Sequence, residues 1–308
     1  MNIGAILVHG IGAQGPQWAD GIVQALEGQV LAEVARLLPG KAPHDSREIL
    51  VTGRVHWAGL LQVRQIELER ILNAQRPLKL DGPWWRRALT TVVNSLRKTE
   101  SRFVTECIGD VIGYPEPEVR TAIYATIVQA LEQMTDRIGV PGVKAPVTLI
   151  AHSLGSVISS DYVWDAAKAR AATGHRGFHD RLQLANFFTV GSPLALFSLR
   201  YGGPEAFDQP IAIEHPEGRW VNLFDNDDPV GMPLKPLNAA YRRVVLKDVQ
   251  VESGPYLFSH GGYFTKSETL TIISRKLALD WVALNRKLPD STIDTLYERY
   301  DRTLDLSS

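Results

Sequence analysis

Cysteine is nearly absent. Cys107 is the only one in 308 residues, so no disulfide can form within the chain and a cysteine-built metal cluster is excluded. Long apolar runs are missing too: no stretch approaches the roughly 18 uninterrupted apolar residues of a membrane-spanning helix, and any membrane contact is expected to be peripheral. Neither sign of charge is in excess, since 33 Lys and Arg stand against 34 Asp and Glu for a formal net charge of −1. With no basic run to track a phosphate backbone, nucleic acid is not an expected partner. Met1 passes straight into an apolar segment without a basic leader or a small-residue cleavage site, and with the lone cysteine this gives a cytoplasmic expectation. Internal repeats and low-complexity segments are also lacking.

What is present is an ordinary globular composition, 44% apolar and 22% charged, able to bury a large core. The expected organisation is one α/β domain over 1–308. Six short apolar segments, at 3–9, 49–56, 147–151, 184–190, 220–224 and 244–247, are spaced by amphipathic stretches at 18–38, 118–138, 154–172 and 268–288. This alternation predicts a mainly parallel sheet of about six strands with helices on both faces. Thr265-Lys266-Ser267-Glu268 reads as a capping box that opens the last of these helices. The tail 290–308 is polar enough to fray, although Ile293, Leu296 and Tyr300 offer an apolar stripe for a short docked helix.

Residues 58–107 are too many for one crossover helix and read as a helical cap or lid inserted after the second strand. Leu61, Ile66 and Leu72 belong to one apolar repeat at helical spacing, and Trp84, Trp85, Leu89, Val93 and Phe103 to another that carries Arg86 and Arg87. The expected role of the apolar face is packing on the core. A lid that touches lipid through Trp84 and Trp85 is the alternative.

Residues 147–156 read VTLIAHSLGS, an apolar run ending in Ala-His-Ser-Leu-Gly. A serine raised on a sharp strand-to-helix turn needs small residues two before and two after it, because bulk there collides with the neighbouring strand or the next helix. Ala151 and Gly155 meet that need, and Ser153 becomes the candidate nucleophile. A serine hydroxyl is a weak nucleophile at neutral pH, so it requires a base and an acid that orients the base. Among the later histidines, His175 and His179 sit in a loop after a helix and His215 precedes a proline. Only His260 follows the last predicted strand, and it is the expected base. The fifth strand runs into Asp225-Asn226-Asp227-Asp228-Pro229-Val230. Asp228 is the expected acid, because Pro229 biases it to extended backbone and Val230 can anchor the loop; Asp225 is the main rival and Asp227 the third. The cluster lacks the ligand spacing and turn glycine of a calcium loop, so no metal is expected. For an oxyanion the expected donors are the N–H of Leu154 and that of Ile11, with Gly12 the alternative, in the loop opened by His9-Gly10. His9 is expected to brace that loop.

Five islands resemble the DDHD-type intracellular phospholipases, within the larger lipase-like α/β hydrolases. They are Val8-His9-Gly10-Ile11-Gly12; Gly109-Asp110-Val111-Ile112-Gly113-Tyr114; Ala151 to Ser156 running on to Ser160-Asp161; Phe187-Phe188-Thr189-Val190-Gly191-Ser192-Pro193-Leu194; and Asn222-Leu223-Phe224 through Asp228-Pro229-Val230 to Pro236-Leu237. Ser259-His260 followed by Tyr263 is similar to the same family's histidine segment. The resemblance covers about half the chain. It implies an α/β-hydrolase fold with Ser153, Asp228 and His260 as nucleophile, acid and base, and a lipid or small-molecule ester as substrate, with no cofactor. Gly231-Met232-Pro233 stands where that family has an aromatic residue followed by arginine, so a phospholipid headgroup is not implied. The expectation is a serine ester hydrolase for an apolar acyl group. Phospholipid acyl hydrolysis and thioester hydrolysis are the near alternatives, and a noncatalytic binding module on the same fold is the distant one.

Overall fold

A computed structural model of the chain describes residues 1–10, 15, 17–57, 60, 114, 116–138, 142–255 and 259–306. Its centre is a sheet of strands β1 (Ile3–Val8), β2 (Leu50–Val55), β3 (Ala145–His152), β4 (Leu182–Val190), β5 (Arg219–Phe224) and β6 (Val245–Gln250). The order is β2-β1-β3-β4-β5-β6, and every neighbouring pair is parallel. Parallel strands need crossovers, and the long helices are α1 (Asp20–Leu37), α2 (Pro117–Ile138), α3 (Leu154–Ala171), α4 (Ser267–Leu284) and α5 (Asp290–Leu306).

Burial on both faces explains why the strands read as unbroken apolar runs. Within β1, Ile6 and Val8 join α2 and α3 in one core, while Ala5 and Leu7 join α1, α4 and α5 in the other. The six strands and the four longer helices agree with the sequence reading to within a few residues at their ends. One expectation is corrected. The capping box does not form: the residue before α4 is Lys266 with no side-chain cap, and the Thr265 hydroxyl instead donates to the Gly262 carbonyl at 2.6 Å. Of the two readings of the tail the docked helix holds, as α5, with Ile293, Tyr297, Tyr300 and Leu304 buried and Leu296 packed against the core. The proposed cap at 58–107 lies outside the described residues except for Leu60, as do Cys107, Trp84 and Trp85. Among the described residues no helix is long and apolar enough to cross a membrane.

A polar network docks α5, which explains why the apolar stripe alone underestimated it. The fully buried Lys276 ammonium pairs with Asp280. Asp280 Oδ1 also accepts from the Tyr297 hydroxyl at 2.9 Å, and its Oδ2 from Asn186 Nδ2 at 2.7 Å. Arg219 on β5 reaches Asp301 through both Nε and Nη2, each at 3.1 Å. Burial pushes the Lys276 ammonium below its ordinary range, with the Asp280 charge opposing. Removing Asp280 would leave that cation without its counter-charge in a dry interior, so Asp280→Ala is expected to destabilise the fold by about 3–5 kcal/mol in urea unfolding. A loss under about 1 kcal/mol would show that the network is dispensable.

Candidate active site

Adjacent strands β1 and β3 leave the sheet in opposite directions, β1 crossing to β2 and β3 to β4, so their carboxyl ends flank the sheet's switch point, where open α/β sheets form a crevice. His9-Gly10 follows one end and Ser153 the other. Ser153 has φ 53° and ψ −132°, and with Arg286 it is one of two non-glycine residues of positive φ among the described residues. Its N–H donates to the Val190 carbonyl at 2.8 Å. The small flanks have measurable reasons. A Cβ on Gly155 would lie 2.4 Å from the His9 carbonyl oxygen and 2.7 Å from that of Val8, and a Cβ on Gly10 would lie 2.5 Å from Ser153 Cβ. The first turn of α3 therefore rests on the end of β1, and Gly10 passes directly beside the serine.

The loop after β5 separates the three competing aspartates. Asp225 is buried and accepts at Oδ2 from the Ser253 N–H (2.7 Å) and hydroxyl (2.6 Å), which ties this loop to the segment after β6. Asp227 is exposed. Asp228 is buried and receives the Val230 N–H at Oδ1 (2.9 Å). His260 lies in a single helical turn, Ser259–Gly262, whose Ser259 hydroxyl donates to the Asp227 carbonyl at 3.0 Å. Its Nδ1 is 2.9 Å from Asp228 Oδ2 and 3.0 Å from Oδ1, while its Nε2 is 2.7 Å from Ser153 Oγ. The structure thus brings Ser153, His260 and Asp228 into one hydrogen-bonded line and leaves Asp225 and Asp227 out of it. Burial works against ionising Asp228, but the hydrogen bond and charge of His260, with donors Val230 N–H and Tyr263 O–H, outweigh it and hold the carboxyl below its usual range.

Leu154 opens α3, and an N–H in the first turn of a helix has no intrahelical acceptor, so it is available to an anion beside Ser153. Ile11 and Gly12 lie outside the described residues. His9 does brace its surroundings: Nδ1–H donates to the Gly10 carbonyl at 2.6 Å, Nε2 accepts the Trp57 N–H at 3.1 Å, and the ring stacks on Trp57 at 4.6 Å. Burial lowers its pKa to about 4. His175, His179 and His215 sit in connections at the opposite end of the sheet.

Two side chains of the site carried little weight in the sequence. His152, the residue inside the elbow, donates from Nε2 to the His260 carbonyl at 2.7 Å and has its pKa lowered to about 3, by burial first and then by the neighbouring His260. Tyr263 accepts the Asp225 N–H at 3.0 Å and donates to Asp228 Oδ2 at 2.8 Å; only its place three residues after His260 marked it. The island ending at Tyr114 also meets another, since the Tyr114 hydroxyl donates to Asp161 at 3.0 Å. Among the described residues no group of three or more His, Cys, Asp or Glu side chains is arranged to hold a metal ion.

No family model matches the chain, and no solved structure matches it. Over 196 residues it is 28% identical to a probable mitochondrial phospholipase of Schizosaccharomyces pombe; the match takes in 54% of this chain and 24% of the relative, so the chain spans about a quarter of that protein's length.

His9 and His152 are neutral when folded and regain ordinary basicity when unfolded. Below about pH 6.5 the unfolded chain therefore binds protons that the folded chain refuses, so stability is complete above that pH and declines as pH falls towards about 4. Urea midpoints are expected to drop across this window, and His152→Phe to flatten the decline. Parallel pH dependence in the variant would assign the decline to other groups.

Proposed function

We propose that the chain is a serine ester hydrolase on an α/β-hydrolase fold, cleaving an ester with an apolar acyl group through an acyl-Ser153 intermediate. The observation that carries this reading is the line Ser153 Oγ, His260 Nε2, His260 Nδ1, Asp228, with links of 2.7 and 2.9 Å. Each atom in it has the partner that acyl transfer demands. His260 Nε2 takes the hydroxyl proton as Ser153 Oγ bonds to the acyl carbon, and Asp228 holds the Nδ1–H and balances the imidazolium charge. The oxyanion would be met by the Leu154 N–H, with Ile11 as second donor and Gly12 as its alternative. Collapse breaks the bond to the leaving alkoxide, which takes the proton from His260 Nε2. Water then repeats the sequence, giving its proton to His260, and releases the carboxylic acid and free Ser153. No cofactor enters this scheme.

Likeness to a probable phospholipase supports a lipase-like activity and makes a phospholipid acyl ester the second reading. The same line would also cleave a thioester. Peripheral contact with a lipid surface through 58–107 is part of the phospholipase reading.

Labelling with a fluorophosphonate should modify Ser153 and disappear in Ser153→Ala, with the modified peptide identified by mass. Asp228→Asn should reduce labelling and hydrolysis of p-nitrophenyl esters by about 10⁴-fold, as for loss of a triad acid. Asp225→Asn should chiefly lower thermal stability, because it gives up the ties to Ser253. The reverse ranking would move the acid to Asp225, and a folded chain that resists labelling would point to a noncatalytic binding module. Rates on esters of rising chain length beside phospholipids separate the two substrate readings.

A further inference from the structure

Two glycines beside the Asp228 loop, Gly191 after β4 and Gly231 just past Val230, serve no step of the proposed chemistry. Both close on one contact. A Cβ on Gly231 would lie 2.6 Å from Asp228 Oδ2 and 2.8 Å from the Tyr263 hydroxyl; one on Gly191, whose φ is 55°, would lie 2.7 Å from Tyr263 Cε2 and 3.0 Å from Asp228 Oδ2. Tyr263 and the Asp228 side chain are both fully enclosed.

We propose that Tyr263 is a positioning residue for the acid, its hydroxyl fixing the plane of the Asp228 carboxylate so that both oxygens stay turned to His260 Nδ1. This rests on the serine hydrolase reading above. The Asp225 N–H at the end of β5 occupies the phenol oxygen and leaves the O–H one direction, towards Asp228 Oδ2. The Val230 N–H holds Oδ1 from the other side. Without the phenol, Oδ1 keeps the Val230 N–H while Oδ2 keeps only its share of the His260 Nδ1–H, so nothing but the imidazole itself resists a turn of the carboxylate about its last bond. Gly191 and Gly231 leave no room for a side chain between themselves and this contact, so the ring and the carboxylate pack directly on their backbone. Burial and the Asp228 charge push the Tyr263 pKa well up, so the phenol stays a donor throughout the working pH range.

Tyr263→Phe keeps the ring on Gly191 and deletes only the hydroxyl. With p-nitrophenyl butyrate as probe, kcat should fall about tenfold while KM stays within about twofold, because a hydrogen bond to a charged group is lost away from the substrate. In an Asp228→Asn background the same change should bring no further loss. Unchanged kcat, an equal loss in both backgrounds, or a Tyr263→Phe chain that is unfolded by circular dichroism would each overturn the assignment. A wild-type chain that is folded yet neither labelled nor active removes the hydrolase reading and this assignment with it, and is told apart because it needs no variant.

Discussion

Contact between the first turn of α3 and the end of β1 is the constraint on which the site is built. A non-glycine residue at φ 53° and ψ −132° sits in sparsely populated backbone space and costs on the order of 1–3 kcal/mol. It persists because its surroundings leave no relaxed alternative. Ser153 is tied through its N–H to Val190 on β4, and Gly155 is pressed against the carbonyls of Val8 and His9. The Ser156 hydroxyl donates to the Ser153 carbonyl at 2.6 Å and lies 2.6 Å from that of Ser192. Relaxing Ser153 would mean parting α3 from β1 and β3 from β4 together. The strain is thus stored in the sheet, and it leaves the serine oxygen within reach of His260.

The loop after β5 shows how similar side chains acquire different surroundings. Asp225, Asp227 and Asp228 have the same chemistry within four positions, so their roles follow from what donates to them. Asp225 is occupied by Ser253 and the Asp227 N–H. Asp227 faces solvent. Asp228 alone meets an imidazole, and it does so with Val230 and Tyr263 already on its two oxygens. Only donors fixed in advance can aim a buried carboxylate, because a mobile one loses the geometry it is there to supply.

These distinctions explain what could be read from the sequence. Strand positions were legible because both sheet faces are covered, which makes each strand an apolar run ended by chemistry: His9-Gly10, His152-Ser153, Asp225 to Asp228. The elbow was legible because the close approach of the β1 backbone leaves no room for a side chain at 155. The docked α5 was legible only through the apolar stripe of Ile293, Leu296 and Tyr300, since its polar anchors, Asp280 for Tyr297 and Arg219 for Asp301, are remote from them in sequence and meet them only after the helix has arrived. The capping box failed for a related reason: the preceding turn claims the Thr265 hydroxyl. His152 was invisible because its partner is a backbone carbonyl, which leaves no signature in side-chain identity.

Crowding several imidazoles around one serine raises the question of which can serve as base. His152 precedes Ser153 and His9 opens the loop that passes beside it, so both rings belong to the segments that frame the serine. Burial without a hydrogen-bonded carboxylate separates both from His260: it lowers their pKa values to about 4 and about 3, with His260 adding to the effect on His152, and each ring spends its N–H on a carbonyl, His9 on Gly10 and His152 on His260. Of the three, only His260 presents Nε2 to Ser153 and Nδ1 to a carboxylate. In the proposed reaction the serine proton therefore has one destination, selected by where Asp228 stands. The two neutral rings act as apolar, hydrogen-bonding struts that hold the loop after β1 and the His260 turn against the same serine.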